Sequence, residues 1–123
     1  MKFTPNLNNG RNIFVFGSNE AGNHAAGAAH QAKVHWSAVQ GVGFGPTGKS
    51  FAIPTMDWNL ISLPLSEIQH YVDRFIAYAR LHDELKFLVT PIGTGICGYD
   101  HEQIAPMFKD APDNCVLPEE WKQ

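Results

Sequence analysis

Lys86-Phe87-Leu88-Val89-Thr90-Pro91-Ile92-Gly93-Thr94-Gly95-Ile96-Cys97-Gly98-Tyr99 runs from a segment that reads as a strand over Lys86 to Ile92 into a loop with three glycines in six residues. Asp100 and Gln103 follow at the spacing of a helix N-terminal cap. A buried strand that feeds a helix through a glycine-rich loop is the repeating unit of parallel sheets. The unit occurs a second time, earlier in the chain. Ile13-Phe14-Val15-Phe16 is a continuous apolar run ending at Gly17, as expected of a central strand buried on both faces. The loop Ser18-Asn19-Glu20-Ala21-Gly22-Asn23 comes next, and an Ala-rich stretch from 24 to about 36 has good helix formers despite Gly27. The two units together predict an α/β fold with a mostly parallel central sheet and helices on both faces.

The intervening sequence fits this frame. Residues 41–48 are too rich in Gly and Pro for a regular element, and Ser50-Phe51-Ala52-Ile53-Pro54-Thr55 reads as a second strand, which Pro54 limits to its first half or to an edge. From Ser66 onward Ile68, Tyr71, Val72, Phe75, Ile76 and Ala79 recur at helical spacing, and Ser66 with Gln69 has the capping-box pattern. Asn114-Cys115-Val116-Leu117 supplies a last strand before a polar tail. No repeat or low-complexity tract divides the chain, so a single domain over residues 1–123 is expected.

Composition narrows the function classes. A chain of 123 residues with 44% hydrophobic content carries one core. A net charge of −3 and a pI near 6.0 argue against a broad phosphate-tracking surface for nucleic acid. The N-terminal residues show no leader-like apolar run, and no stretch has the length of a membrane span, so the expectation is a cytoplasmic chain with no membrane partner. Cys97 and Cys115 lie in unrelated contexts and read as reduced thiols. His24, His30 and His35 are spaced by six and five residues, which misses the i, i+4 helical pair of zinc sites; neither metal nor cofactor is expected.

In parallel α/β sheets ligands settle beyond the carboxyl ends of the strands, where loop N–H groups and helix N-termini hold anions. Gly93-Thr94-Gly95-Ile96-Cys97-Gly98-Tyr99 resembles the second diphosphate loop of macro domains, whose pattern Gly-Thr/Ser-Gly-Ile-x-Gly-Tyr/Phe it matches throughout. Val15-Phe16-Gly17-Ser18-Asn19, followed by Gly22, Asn23, Ala25, Ala26, Gly27 and Ala28, is similar to the first loop of that family. Pro46-Thr47-Gly48 before a strand is similar to a further segment, and the resemblance covers about residues 12 to 108 in order.

The resemblance implies a three-layer macro-like fold that binds ADP-ribose or a related nucleotide-diphosphate-sugar, free or attached to a macromolecule. It implies Asn19 near the distal ribose, Gly93, Thr94, Gly95, Ile96, Cys97 and Gly98 around the diphosphate, and Tyr99 closing against the ligand. Gly17, Ser18, Gly22 and Gly27 complete the ligand-binding set. In an enzymatic version Asn19 or His24 positions water to hydrolyse an ADP-ribosyl bond; the alternative is a non-enzymatic sensor, sequestering or protein-interaction module. The chain departs from the family in two places. It shows no N-terminal strand with the Gly-Asp pair that recognises adenine, and Asn23-His24-Ala25-Ala26-Gly27 replaces a run of three glycines.

Other readings of the same residues stay open at this level. Asn19 is equally suited to closing its own loop through backbone hydrogen bonds. His24 and His101 flank the two loops, either as acid–base groups or as solvated helix-start residues. Cys97 lies near a helix N-terminus that would favour a thiolate, but no partner base is identifiable; Cys115 reads as a core residue. Gly43-Phe44-Gly45-Pro46-Thr47-Gly48-Lys49-Ser50 satisfies the P-loop spacing for a nucleotide binder. It leads into an apolar segment with Pro54, however, where a P-loop must open a helix.

Overall fold

The computed structural model describes residues 11–24 and 27–121. Residues 1–10, read above for a leader, Ala25 and Ala26 of the expected helix, and the last two residues of the tail lie outside the described set. The chain is an α/β fold in which a five-stranded mixed sheet is combined with three helices. The order is β1 (Asn12–Asn19), α1 (Gly27–His35), β2 (Gly45–Thr47), β3 (Ser50–Met56), α2 (Leu65–Leu81), β4 (Lys86–Val89), α3 (His101–Ile104) and β5 (Cys115–Val116). Short 3-10 turns lie at Ala105–Phe108 and Glu119–Trp121. Among the described residues no helix is long and apolar enough to cross a membrane.

Across the sheet the strands run β2, β3, β1, β4, β5. β1 is central and parallel to both neighbours, from Phe14 opposite Ser50 to Asn19 opposite Met56 on one side and from Asn12 opposite Lys86 to Val15 opposite Val89 on the other. The β4–β5 pair is also parallel, and only β2 is antiparallel, folding onto the start of β3. The expected mostly parallel sheet is therefore present.

The alternation of side chains along β1 separates two cores. Val15, with Phe51, Ile53, Phe87 and Val89, meets Ile68, Val72, Phe75, Ile76 and Ala79 of α2. Phe75 is fully buried, with ring centroids 5.0 Å from Phe51 and 5.3 Å from Phe87. Removing that ring would cost about 3–5 kcal/mol by the usual cost of emptying an aromatic core position. On the opposite face Phe16 and Ala52 meet Ala29, Ala32 and Ala38. Small alanines let the short helix α1 lie close to the sheet, and Phe14 extends this contact by stacking on Trp36 at 5.2 Å.

Three local expectations change. α2 opens at Leu65, where the Pro64 carbonyl accepts the N–H groups of Glu67 and Ile68. Ser66 thus lies inside the first turn, and the Gln69 amide donates to Asp73 and to the Met107 carbonyl; the Ser66–Gln69 capping box does not form. β3 continues through Pro54 to Met56, because β2 covers only Ser50 to Ala52 and a residue without an N–H is accommodated where the second neighbour is missing. β4 stops at Val89: both the N–H and the hydroxyl of Thr90 turn onto the Val15 carbonyl, at 3.0 and 2.7 Å. The cap at Asp100 forms as expected, with Gln103 returning its side-chain oxygen to the Asp100 N–H at 2.9 Å.

Candidate functional site

The loops after β1 and β4 leave neighbouring parallel strands in opposite directions. The first leads to α1 on one face of the sheet, and the second leads to α3, whose Ile104 is buried in the core of the other face. Such a divergence opens a crevice at the carboxyl edge of a sheet. The loops touch at its floor. A methyl group on Gly17 would lie 3.4 Å from the Ile92 Cβ and 3.7 Å from the Gly93 nitrogen.

The first loop begins at a register shift between Ser18 and Asn19, where β1 leaves its ladder with β3. Asn19 is buried, and its carboxamide closes the loop: Nδ2 donates to the Asn23 carbonyl at 3.0 Å and Oδ1 accepts the Asn23 N–H at 2.9 Å. His24 is also fully buried. Its Nε2 lies 3.3 Å from the Ser18 hydroxyl, its ring stands edge-on to Phe16 at 5.2 Å, and its N–H donates to the Gln40 side chain. Burial holds the imidazole below its ordinary pKa, with Lys33 adding to the lowering and the Val42 backbone opposing it. The Val42 backbone favours a protonated ring, yet no bond of normal geometry reaches Nδ1 among the described residues. The ring is thus a buried group of the first loop, with Nδ1 left without a partner among the described residues. Glu20 ties the loop to the far face by accepting the Tyr71 hydroxyl at 2.8 Å.

Two glycines make the loop's packing possible. Gly22 has φ +72°, and a Cβ there would come within 2.3 Å of the Gly41 carbonyl carbon. Gly43 lies so close beneath the loop that a Cβ would stand 2.3 Å from the Asn19 carbonyl oxygen. This is the first glycine of the P-loop spacing, and its role is contact with the loop. Residues 45–52 form the β2–β3 hairpin, and Gly48 turns it at φ +56° against the Ser37 carbonyl. The Ser50 hydroxyl donates to the Thr47 carbonyl, while Phe44 packs against Phe51 and Tyr71 beneath the Arg74 guanidinium. No helix follows Ser50, so the P-loop reading of Gly43 to Ser50 is corrected to a structural hairpin.

The second loop is pinned to the exit of β3. The Cys97 thiol donates to the Thr55 carbonyl at 3.2 Å, the Ser62 hydroxyl to the Cys97 carbonyl at 2.7 Å and the Tyr99 hydroxyl to the Leu63 carbonyl at 2.6 Å. Thr94 bonds back to Pro91, the Gly93 carbonyl accepts the Tyr99 N–H, and the Gly95 carbonyl accepts the Gly98 N–H. Gly93 adopts φ +75° and Gly98 φ +90°. The N–H groups of Gly95, Ile96 and Cys97 find no acceptor among the described residues, and nothing lies within 4 Å of a Cβ placed on Gly95. Three successive unsatisfied amides on an open, braced turn suit an anion.

The structure therefore brings Gly17 beside Ile92 and Gly93, with Ser18 and Asn19 following it at the end of β1, while Gly22 is packed against residues 41 and 42, and Gly27, at φ +62°, opens α1 in free space. Sequence reasoning missed the loop between β3 and α2. Asp57 Oδ1 accepts the N–H groups of Asn59 and Ile61, the Asp57 N–H donates to the Ile61 carbonyl, and Leu60 is held at φ +61°. Trp58, Leu60 and Ile61 point outward on it, 71%, 53% and 62% exposed. The available signal was a cluster of large apolar residues with no period, placed where a polar connection is normal.

Two hollows lie elsewhere: one of about 490 Å³ bordered by Leu65, Gln69, Gln103 and Met107, and one of about 280 Å³ between His101 and Trp121. Neither is lined by a residue of the two loops; the second gathers His101, Glu102 and Glu120, but His101 Nδ1 is taken up in accepting the Trp121 indole N–H at 2.9 Å. Among the described residues no group of three His, Cys, Asp or Glu side chains is placed to hold a metal ion. Comparison of the chain with family models, curated proteins and solved structures finds no match.

Proposed function

We propose that the chain is a macro-like, three-layer domain that binds ADP-ribose or a related nucleotide-diphosphate-sugar at the carboxyl edge of β1 and β4. The observation that carries this reading is the contact between the Gly17 and Gly93 loops beside the three free amides of Gly95, Ile96 and Cys97. A diphosphate has the charge and the acceptor oxygens for such amides, and the helix start at Asp100 is short enough to leave the backbone amides as the main donors. The pattern resemblance of the second loop specifies the rest of the ligand.

Between the enzymatic and non-enzymatic versions, the geometry supports the binding module. Asn19 spends its carboxamide on Asn23, and His24 has no exposed surface. A group that positions attacking water must reach it.

Thermal unfolding with ADP-ribose, AMP, NAD and ATP with magnesium tests the proposal. ADP-ribose at about one hundred times its Kd stabilises the fold by roughly 2.7 kcal/mol through mass action. Gly95→Glu, at a position open around the new Cβ, places a carboxylate at the amides and abolishes the shift while the variant stays folded. No shift with ADP-ribose at millimolar concentration would reject the assignment. Ligand recovered intact after long incubation supports the module, and linear release of product would restore the hydrolase.

A further inference from the structure

We infer that the loop at residues 57–61 is a stacking platform for a planar heteroaromatic ring, a nucleobase or a similar ring, carried by the ligand whose phosphates lie on the Gly95–Cys97 amides. This rests on the proposed function and extends it to the part of the ligand that the diphosphate loop does not read. Single exposed apolar residues are ordinary, but three among five consecutive residues are not, least of all on a loop locked in a costly conformation. Leu60 sits in the left-handed region that glycine prefers, and Asp57 holds it there through two backbone N–H groups. Asp57 brackets the loop with hydrogen bonds that a disposable connection would not need, and in this conformation Trp58, Leu60 and Ile61 face solvent.

The platform is also tied to the loop that carries the amides. Met56 and Ser62 close the base of the loop as an antiparallel bridge, and Ser62 and Leu63 bond directly to Cys97 and Tyr99. Two residues of chain beyond that bridge keep the Trp58 Cα within about 12 Å of the Ser62 Cα. Ile96, 90% exposed, adds apolar surface from the diphosphate loop itself. An anion held at one end of this surface and a tryptophan at the other match a ligand with a phosphate group and a flat π face a sugar apart. Every nucleobase has such a face, so stacking supplies affinity without requiring the Gly-Asp pair that the chain lacks.

Calorimetric titration of the wild-type chain, Trp58→Ala and Trp58→Phe with ADP-ribose, NAD and inorganic pyrophosphate decides the matter. Trp58→Ala should weaken a ring-bearing ligand roughly 5- to 100-fold, Trp58→Phe should retain most of the affinity, and pyrophosphate should bind all three proteins alike. A loss with ADP-ribose assigns the ring to its adenine; a loss with NAD alone assigns it to a ring beyond the distal ribose. Unchanged affinity of Trp58→Ala for both, with wild-type binding intact, overturns the inference and points to a protein-docking surface. An equal loss for pyrophosphate overturns it as well, since the loop would then only support the amides. Failure of the wild-type chain to bind any of the three removes the proposed function itself.

Discussion

Gly43→Ala isolates a single physical cost. The backbone at Gly43 is outside the left-handed region, so alanine is conformationally acceptable there, and the whole penalty comes from its methyl group. That methyl would stand 2.3 Å from the Asn19 carbonyl oxygen, with the Glu20 oxygen at 2.8 Å. A relaxed carbon–oxygen contact lies near 3.3 Å or beyond, so the loop must retreat by about 1 Å. Both neighbours are backbone, on a segment already fixed by Asn19–Asn23, Tyr71–Glu20 and the Glu20 N–H to Met56 bond. Overpacking of this kind costs about 2–3 kcal/mol, or a fall in Tm of roughly 6–15 °C for a chain of this size. Urea unfolding should show a lower midpoint at unchanged m, and ADP-ribose binding should weaken because the Gly17–Asn19 wall of the crevice moves. Gly95→Ala is the matched control: it has open space and an ordinary φ, and should stay within about 0.5 kcal/mol of the parent. A Gly43→Ala chain as stable as that control would refute the argument that the loop rests on residue 43.

Asn19→Ala removes both bonds that close the first loop and should cost about 1–2 kcal/mol in urea unfolding; full stability would mean that Gly22 and Gly43 hold the loop unaided. His24 titrates at a lower pH in the folded chain than in the unfolded one, so the unfolded state binds more protons and stability rises with pH. The stability present above pH 6.5, the ordinary histidine value, is lost as the pH falls towards the depressed folded value. His24→Gln should flatten that part of the profile relative to the parent, and an unchanged slope would exclude His24 as its source. Burial pushes the Cys115 thiol up to about 11, with Arg80 acting the other way. At pH 8 it is about one part in a thousand thiolate, so peptide mapping after brief iodoacetamide treatment should find Cys115 largely unmodified, and rapid labelling would contradict its burial.

Local pattern made a large part of this molecule legible in its sequence. The unbroken apolar run at 13–16 and the apolar Phe87-Leu88-Val89 segment read as strands covered on both faces. The recurrence from Ile68 to Ala79 needed a sheet beneath one helical stripe, and Gly93, Gly95 and Gly98 announced an irregular turn before the cap at Asp100. Each of these signals lies within a dozen residues of chain, where side-chain period and backbone stereochemistry act directly. The order β2, β3, β1, β4, β5 was not legible, nor the burial of His24 against Phe16, nor the outward set of Trp58, Leu60 and Ile61. Gly43 carried a phosphate-binding spacing in the sequence and a packing role in the fold, because its nearest neighbour, Asn19, is 24 residues away along the chain. The sequence by itself determined which segments become strands, helices and glycine turns, since those choices are made by contacts between near neighbours. The tertiary structure alone decided which turns meet and which side chains lose their water, since those follow from distant segments competing for the same space.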